Sequence, residues 1–264
     1  SGSGVTEVLE FGEFEHYILN LPDLVDVPNA LPLSVTSMQF MFNGALVFNQ
    51  DISGWNTSNV TNMHGTFQNC LVFNQPIGSW DLSKSTTISF MFLNARDFNQ
   101  SINNWDVSLV EFMQATFYSA VDFNQPLNLW VTSSLKSLQQ TFQGASSFNQ
   151  SIDSWYVDNV INMLGTFRDA IVFDQPLNSW ITGNVIQFME FLMGAIAFNQ
   201  PLSNFDVTGV PNRTRMREML HNATLFNQDL SSWCVTNIAS EPDSFSTGSA
   251  LSAPNKPVWG TCPP

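Results

Sequence analysis

The stretch Phe48-Asn49-Gln50-Asp51-Ile52-Ser53-Gly54-Trp55 returns again and again down the chain. Its first residue recurs as Phe73, Phe98, Phe123, Phe148, Phe173, Phe198 and Phe226, in six steps of 25 residues and a last step of 28. A Trp follows seven positions later at Trp55, Trp80, Trp105, Trp130, Trp155, Trp180 and Trp233, with Phe205 standing in once. A fixed period between roughly 20 and 50 residues marks a solenoid or array. Each unit of such an array buries its apolar face only against its neighbours.

Length is therefore no guide to domain count, because an array of 264 residues grows by stacking. Apolar residues make up 44% of the chain, ample for a core, and 23 of them are Phe. Net charge is −14 with only 8 Lys and Arg, which argues against nucleic acid or an anionic membrane surface as partner. No apolar run reaches the ~18 residues a spanning helix needs, so no segment is expected to cross a bilayer. Ser1-Gly2-Ser3-Gly4 lacks the charged and apolar regions of a signal peptide and reads as a flexible linker. Cys234 and Cys262 flank the last, non-repetitive segment and read as a disulfide closing it, which implies an oxidising compartment. Cys70 takes a slot that is otherwise Ala and reads as a small core residue with a free thiol.

Each unit divides into two halves. In the first, Val60, Met63, Phe67, Cys70 and Phe73 step by three, four, three and three, the spacing of one helical face, with Ser58-Asn59 before it as capping residues. The second half runs from Ile52 through Trp55 and reads as a short strand in a parallel sheet, with a bend between those two residues. Pro76, Pro126, Pro176 and Pro201 follow the Gln, so pairing is expected to begin after them. The predicted fold is α/β: an LRR-like solenoid of about eight 25-residue coils, one short parallel strand and one short helix per coil, capped at both ends. Residues 1–34 read as linker and N-terminal cap, 35–237 as the solenoid and 238–264 as the C-terminal cap. The N-terminal part also fits the tail of a preceding domain.

Phe-Asn-Gln falls in the corner between the halves. Asn49, Asn74, Asn99, Asn124, Asn149, Asp174, Asn199 and Asn227 would then recur in register about 5 Å apart, each amide bonding backbone of the coils above and below. An ionised Asp174 only accepts, so it is expected to break this ladder, as a tolerated change near an exposed edge or, more sharply, as a cation contact. The three extra residues of the last repeat fall near Pro211–Arg217, either an exposed basic loop or an anion contact.

No catalytic set, cofactor site or metal site emerges. His16, His64 and His221 are dispersed, with His64 expected on an exposed helix position. No zinc spacing, phosphate loop or nucleophile elbow occurs. Asp81, Asp106 and Asp206 share a slot in register, but Asn56, Val131, Tyr156, Ile181 and Cys234 hold it elsewhere, which argues against a calcium ladder. Val131, Tyr156 and Ile181 in that slot offer a candidate contact stripe. A local register shift competes with it and is the favoured reading, since Thr132 and Thr182 then take the slot that Val107, Val157 and Val207 hold elsewhere, and Val131 and Ile181 turn inward. Asn56, Asn59, Asn212 and Asn222 are candidate glycosylation sites, whereas Asn99 and Asn149, in the same triplet context, are expected to be buried in the ladder.

The repeats resemble the BspA-like leucine-rich-repeat surface proteins, in their Phe-Asn-Gln branch. Met41-Phe42, Ala45, Phe48-Asn49-Gln50, Ile52, Trp55 and Ser58-Asn59-Val60-Thr61-Asn62-Met63 carry the likeness, with Trp105-Asp106-Val107-Ser108 and the ending Trp259-Gly260-Thr261-Cys262-Pro263. It covers roughly residues 24–262, departing at Phe205, Asp174 and the long last repeat. The resemblance implies a secreted or cell-surface solenoid tied to adhesion or a large surface assembly, and it supplies no catalytic residues. The expected function is thus non-enzymatic recognition of protein or glycan outside the cell. The alternative is a structural subunit of an extracellular filament, whose partners are copies of itself.

Overall fold

A computed structural model of the protein describes residues 5–12 and 15–263. The Ser1–Gly4 linker, Glu13 and Phe14 lie outside the described residues. The chain is a repeat solenoid whose coils rest on one another in parallel. Bridges run Ser37 to Asn62, Asn62 to Thr87, Thr87 to Phe112, Phe112 to Ser137, Ser137 to Asn162 and Asn162 to Gln187.

The expected helix is absent. Among the described residues the only helical pieces are 3-10 turns at Arg213–Met216 and Ala253–Asn255. The first half of each unit is a run of β-turns whose backbone N–H groups alternate between two kinds of partner. Phe40, Phe42 and Gly44 donate to His64, Thr66 and Gln68 in the next coil, at 2.8, 2.9 and 2.8 Å. Met41, Asn43 and Ala45 donate three residues back, to Met38, Phe40 and Phe42, at 3.1, 3.1 and 2.9 Å. Two residues per coil, four apart, hold φ positive: Phe40 and Gly44, Gly65 and Asn69, Phe90 and Asn94, and so on to Ser244 and Gly248. A left-handed residue at the third position of a four-residue turn is what a type II turn requires, and it cannot belong to a right-handed helix. The apolar spacing of three and four survives because consecutive turns also return a side chain to the inside every three or four residues.

The expected strand is also misplaced. Parallel bridging falls on the Met-bearing half instead, at the slot of Asn62. On the Trp side the bend between Ile52 and Trp55 is a β-turn, with Trp55 N–H donating to Ile52 O at 3.1 Å. Regular coils on this side are joined by side chains; only at the C-terminal end do Leu230 and Val235 N–H donate to Asn255 O and Thr261 O, among the described residues. The indoles of Trp80, Trp105, Trp130, Trp155 and Trp180 each donate to the carbonyl of the Ile or Leu 28 residues earlier, at 3.0–3.2 Å. Thr57 Oγ1 donates to Asp81 O and accepts from Asp81 N–H. Asn159 and Asn184 donate their amides to Ser133 O and Asp158 O. Among the described residues no backbone bond uses the N–H of Asp51, Ser101 or Ser151, so Pro76, Pro126, Pro176 and Pro201 at that slot remove none of these.

Columns of like rings fill the core. Phe48, Phe73, Phe98, Phe123, Phe148, Phe173, Phe198 and Phe226 stack with centroids 5.9–6.1 Å apart and nearly parallel planes. Phe67 sits 4.0 Å from Phe73, and the small side chain at the Ala slot accompanies that approach. Cys70 fills this slot with its thiol donating to Phe42 O at 2.9 Å, and burial pushes its pKa up, so it is poor as a nucleophile. Buried threonines form a further ladder: Thr66 and Thr116 each donate to a carbonyl of their own coil and of the one before.

The ladder of coils continues through both ends. Glu7 bridges Asp26 and His16 bridges Ser37, so residues 5–12 and 15–34 join the stack as shorter coils. At the other end Glu218, Leu220 and Asn222 donate to Asp243, Phe245 and Thr247, making the C-terminal segment a degenerate further coil. Cys234 and Cys262 form a disulfide that ties this coil to the one below. The three-residue insertion becomes the Arg213–Met216 turn, capped by the Asn212 side chain and anchored by buried Met216. Two of the three arginines here face acids, Arg213 lying 3.4 Å from Asp243 and Arg217 3.5 Å from Glu218, while Arg215 is exposed and in no ion pair among the described residues.

Candidate functional surface

The corner amides run in one direction. Asn124 Oδ1 accepts from Asn149 N–H at 2.9 Å and from Gln150 Nε2 at 3.0 Å. The same pair of bonds forms on Asn49, Asn74, Asn99, Asn149 and Asn199. Asn227 continues the series by accepting from Ser252 N–H and Asn255 Nδ2. Only the oxygen is used toward the next coil. Asp174, expected from the sequence to break the ladder, therefore leaves it intact; its Oδ1 accepts from Asn199 N–H and Gln200 Nε2 at 2.9 and 3.0 Å. A carboxylate supplies the acceptor the slot needs. These side chains are half-buried or exposed at the corner, Asn99 and Asn149 being half-buried, and their chemistry is spent on cohesion.

The register shift is overturned. Val131, Tyr156 and Ile181 point outward, 48%, 58% and 62% exposed, while Thr132 and Thr182 are buried. The slot is inward in every coil, as buried Val107 and Val157 show, and the threonines fit it because their hydroxyls find partners there: Thr132 Oγ1 donates to Tyr156 O at 3.0 Å and Thr182 Oγ1 to Asp206 O at 2.9 Å. An inward Val would fill the space but leave those carbonyls without that donor. Leu129, 60% exposed, joins the stripe, which sequence reasoning missed. Its slot holds Gly54, Ser79, Asn104, Ser154, Ser179 and Asn204 in other coils, so a lone apolar residue among polar ones was the available signal.

Two shallow open grooves lie along the stripe. Leu129 and Val131 line one with Asn103, Asn104 and Asp106. Tyr156 and Ile181 line the other with Asp153, Asp158 and Ser179. Asp206 closes the row in the coil above. Asp106 accepts from Ser108 N–H, Asp153 from Ser179 N–H and hydroxyl, and Asp206 from Thr208 N–H and hydroxyl. Among the described residues none of these four aspartates is in an ion pair. In the same slot lower down, the Ser83 hydroxyl and N–H hold the Asp81 carboxyl below its usual value.

The remaining candidates are scattered. The histidines lie in different coils, and among the described residues no three His, Cys, Asp or Glu side chains form a metal set. His64 is half-buried on a turn, not exposed on a helix. Its ring stands between Phe40 and Phe90, 4.9 and 5.0 Å from their centroids, and burial lowers its pKa. Gly65 lets Phe40 reach this position, because a Cβ there would lie 2.5 Å from the Phe40 ring. Asn56, Asn212 and Asn222 are exposed. Asn59 is half-buried and its amide nitrogen donates to Leu33 O at 3.0 Å. No helix among the described residues is long and apolar enough to cross a membrane.

A parallel stack of turn-built coils with an outward apolar stripe defines a solenoid repeat protein. The chain belongs to the family described as "Mycoplasma protein of unknown function, DUF285", whose model matches residues 26–130, 113–233 and 138–259. No curated protein sequence matches it. Among solved structures it is similar to an internalin (inlF) from Listeria monocytogenes at 13% identity, over 87% of this chain and 79% of that one, with a TM-score of 0.24. Agreement that loose carries no argument about either shape or partner.

Proposed function

We propose that this solenoid is a non-enzymatic recognition module of an extracellular or cell-surface protein, adhering to protein or glycan through its Trp-bearing side. The observation that carries the reading is the exposed stripe of Leu129, Val131, Tyr156 and Ile181 across three adjacent coils, on a face whose other exposed positions are mostly Asn, Ser, Asp and Gly, with Leu109 apart. The other recurring polar groups, the amides, indoles and threonine hydroxyls, are consumed in joining coils. The disulfide fits an oxidising compartment. Sequence likeness to BspA-like surface proteins points the same way. The test is solid-phase binding of the purified chain to immobilised extracellular-matrix proteins and a glycan array, with negative-stain electron microscopy of the same sample. Dispersed particles that bind an immobilised protein or glycan are expected. Ordered polymers with no such binding would overturn the reading in favour of a structural filament subunit.

A further inference from the structure

We infer that the stripe docks a cationic protein segment, one carrying apolar side chains flanked by Lys or Arg. The inference rests on the recognition reading above and names its partner. The apolar part of the site is Leu129, Val131, Tyr156 and Ile181, four exposed side chains on three adjacent coils. Around them stand Asp106, Asp153, Asp158 and Asp206, with no cation paired to any of them among the described residues. Lys136, two slots beyond Ser134 on the neighbouring groove, is already neutralised by Glu111 at 2.6 Å. Apolar contact at the centre and unmatched charge at the rim is the pattern in which the centre supplies affinity and the rim supplies steering and choice of partner.

Charge also selects among occupants. A second copy of this chain would bring four carboxylates against four, on molecules each carrying a net charge of −14, and like charges juxtaposed across an interface are strongly unfavourable. An anionic glycan meets the same repulsion. A neutral glycan would stack on Tyr156 but would leave the carboxylates without a counter-charge. A segment with Lys or Arg beside apolar residues satisfies both parts of the surface at once. The stripe crosses the coils, so an extended segment lying along the solenoid axis meets Val131, Tyr156 and Ile181 in succession.

The probe is a synthetic peptide alternating Leu and Lys, compared with a Leu–Glu peptide of the same length, titrated by fluorescence anisotropy at low and physiological salt. Four forms of the full chain are used: unmodified, Tyr156→Ser with Ile181→Ser, Asp106→Asn with Asp158→Asn, and Ile171→Ser with Val172→Ser as a remote control on other exposed apolar residues. All substitutions are at exposed or half-buried surface positions, and unchanged melting curves confirm folding. The Leu–Lys peptide is expected to bind. Loss of Tyr156 and Ile181 should weaken it at least about tenfold, and loss of the two carboxylates should weaken it and flatten its salt dependence. The remote control should bind as the unmodified chain does. Equal binding by the Tyr156/Ile181 variant would overturn the inference, since it would show diffuse attraction to an acidic protein. Equal binding of the Leu–Glu peptide would overturn it too, as would a self-association or a neutral-glycan signal that the Tyr156/Ile181 variant abolishes. Running that variant in the adhesion assay separates the two levels. Adhesion that survives it removes this site and leaves the recognition reading, whereas absence of adhesion by the unmodified chain removes the recognition reading itself.

Discussion

Replacing Asn124 by Leu and by Asp tests how the corner ladder works. Asn124 Oδ1 accepts two bonds, from Asn149 N–H at 2.9 Å and Gln150 Nε2 at 3.0 Å. Leu removes both. The Gln150 side chain can turn to water, but the Asn149 N–H is fixed by its coil and loses a half-buried partner. An unsatisfied buried donor costs about 1–3 kcal/mol, and partial solvent access at this corner places the expected loss at about 1–2 kcal/mol. For a chain of this size that is a fall in melting temperature of roughly 2–8 °C. Asp keeps the acceptor in the same place, as Asp174 does one coil beyond Asn149. Asn124→Asp at neutral pH is therefore expected to melt within about 0.5 kcal/mol of the unmodified chain, the range of a surface change. Urea denaturation followed by circular dichroism gives both numbers. If Asp destabilises as much as Leu, the amide nitrogen matters and the acceptor-only account is wrong.

Trp155→Phe removes the indole bond to Leu127 O at 3.0 Å; since that carbonyl also accepts from Trp130 N–H, the expected loss is about 1–2 kcal/mol by denaturant midpoint. A loss under a few tenths would show that the indole column holds by stacking alone. Burial lowers the pKa of His64 below that of a free imidazole, so the unfolded chain takes up its proton first. Its contribution to stability should accordingly be intact above that value and fall away as pH drops from there toward the lower folded-state pKa. His64→Gln should flatten that part of the pH–stability curve, and an unchanged slope would refute the assignment. Reducing the Cys234–Cys262 bridge, which spans 28 residues, should cost the end of the array about 3–4 kcal/mol by loop entropy. Hydrogen exchange should then rise in residues 218–262 and leave the central coils protected; uniform loss of protection would mean the array unfolds as one unit.

How much of this was legible in the sequence depends on which contacts each residue makes. Phe48 to Phe226 and Trp55 to Trp233 announce the stack, because identical rings at a fixed period have only one economical arrangement, each on the next. The helix expected over Val60–Phe73 was a false reading of a real pattern. Steps of three and four belong equally to a helix and to consecutive β-turns. Gly44, Gly65, Asn69, Asn94, Gly144 and Asp169, residues that tolerate positive φ, stood at the deciding slots. Phe40, Phe90 and Gln140 occupy the same conformation and hid the signal. Phe205 shows the array accommodating a lost indole: Phe188 and Phe191 close around it, each 6.0 Å away, with Leu192 in the slot that Phe holds elsewhere.

From the sequence alone came the period and the chemistry repeated in each regular coil, because stacking makes residues 25 apart into neighbours whatever path the chain takes between them. The path itself came from the tertiary structure. Whether a backbone N–H bonds its own coil or the next depends on what lies 24 residues ahead, and no local pattern carries that. The same holds for Val131 and Ile181: an apolar side chain next to a Thr was expected to take the inside. The path of the regular coils turns the residue after each Trp outward and the next one inward whatever they are, as Tyr156 beside buried Val157 shows, and the carbonyls of Tyr156 and Asp206 satisfy the two inward hydroxyls.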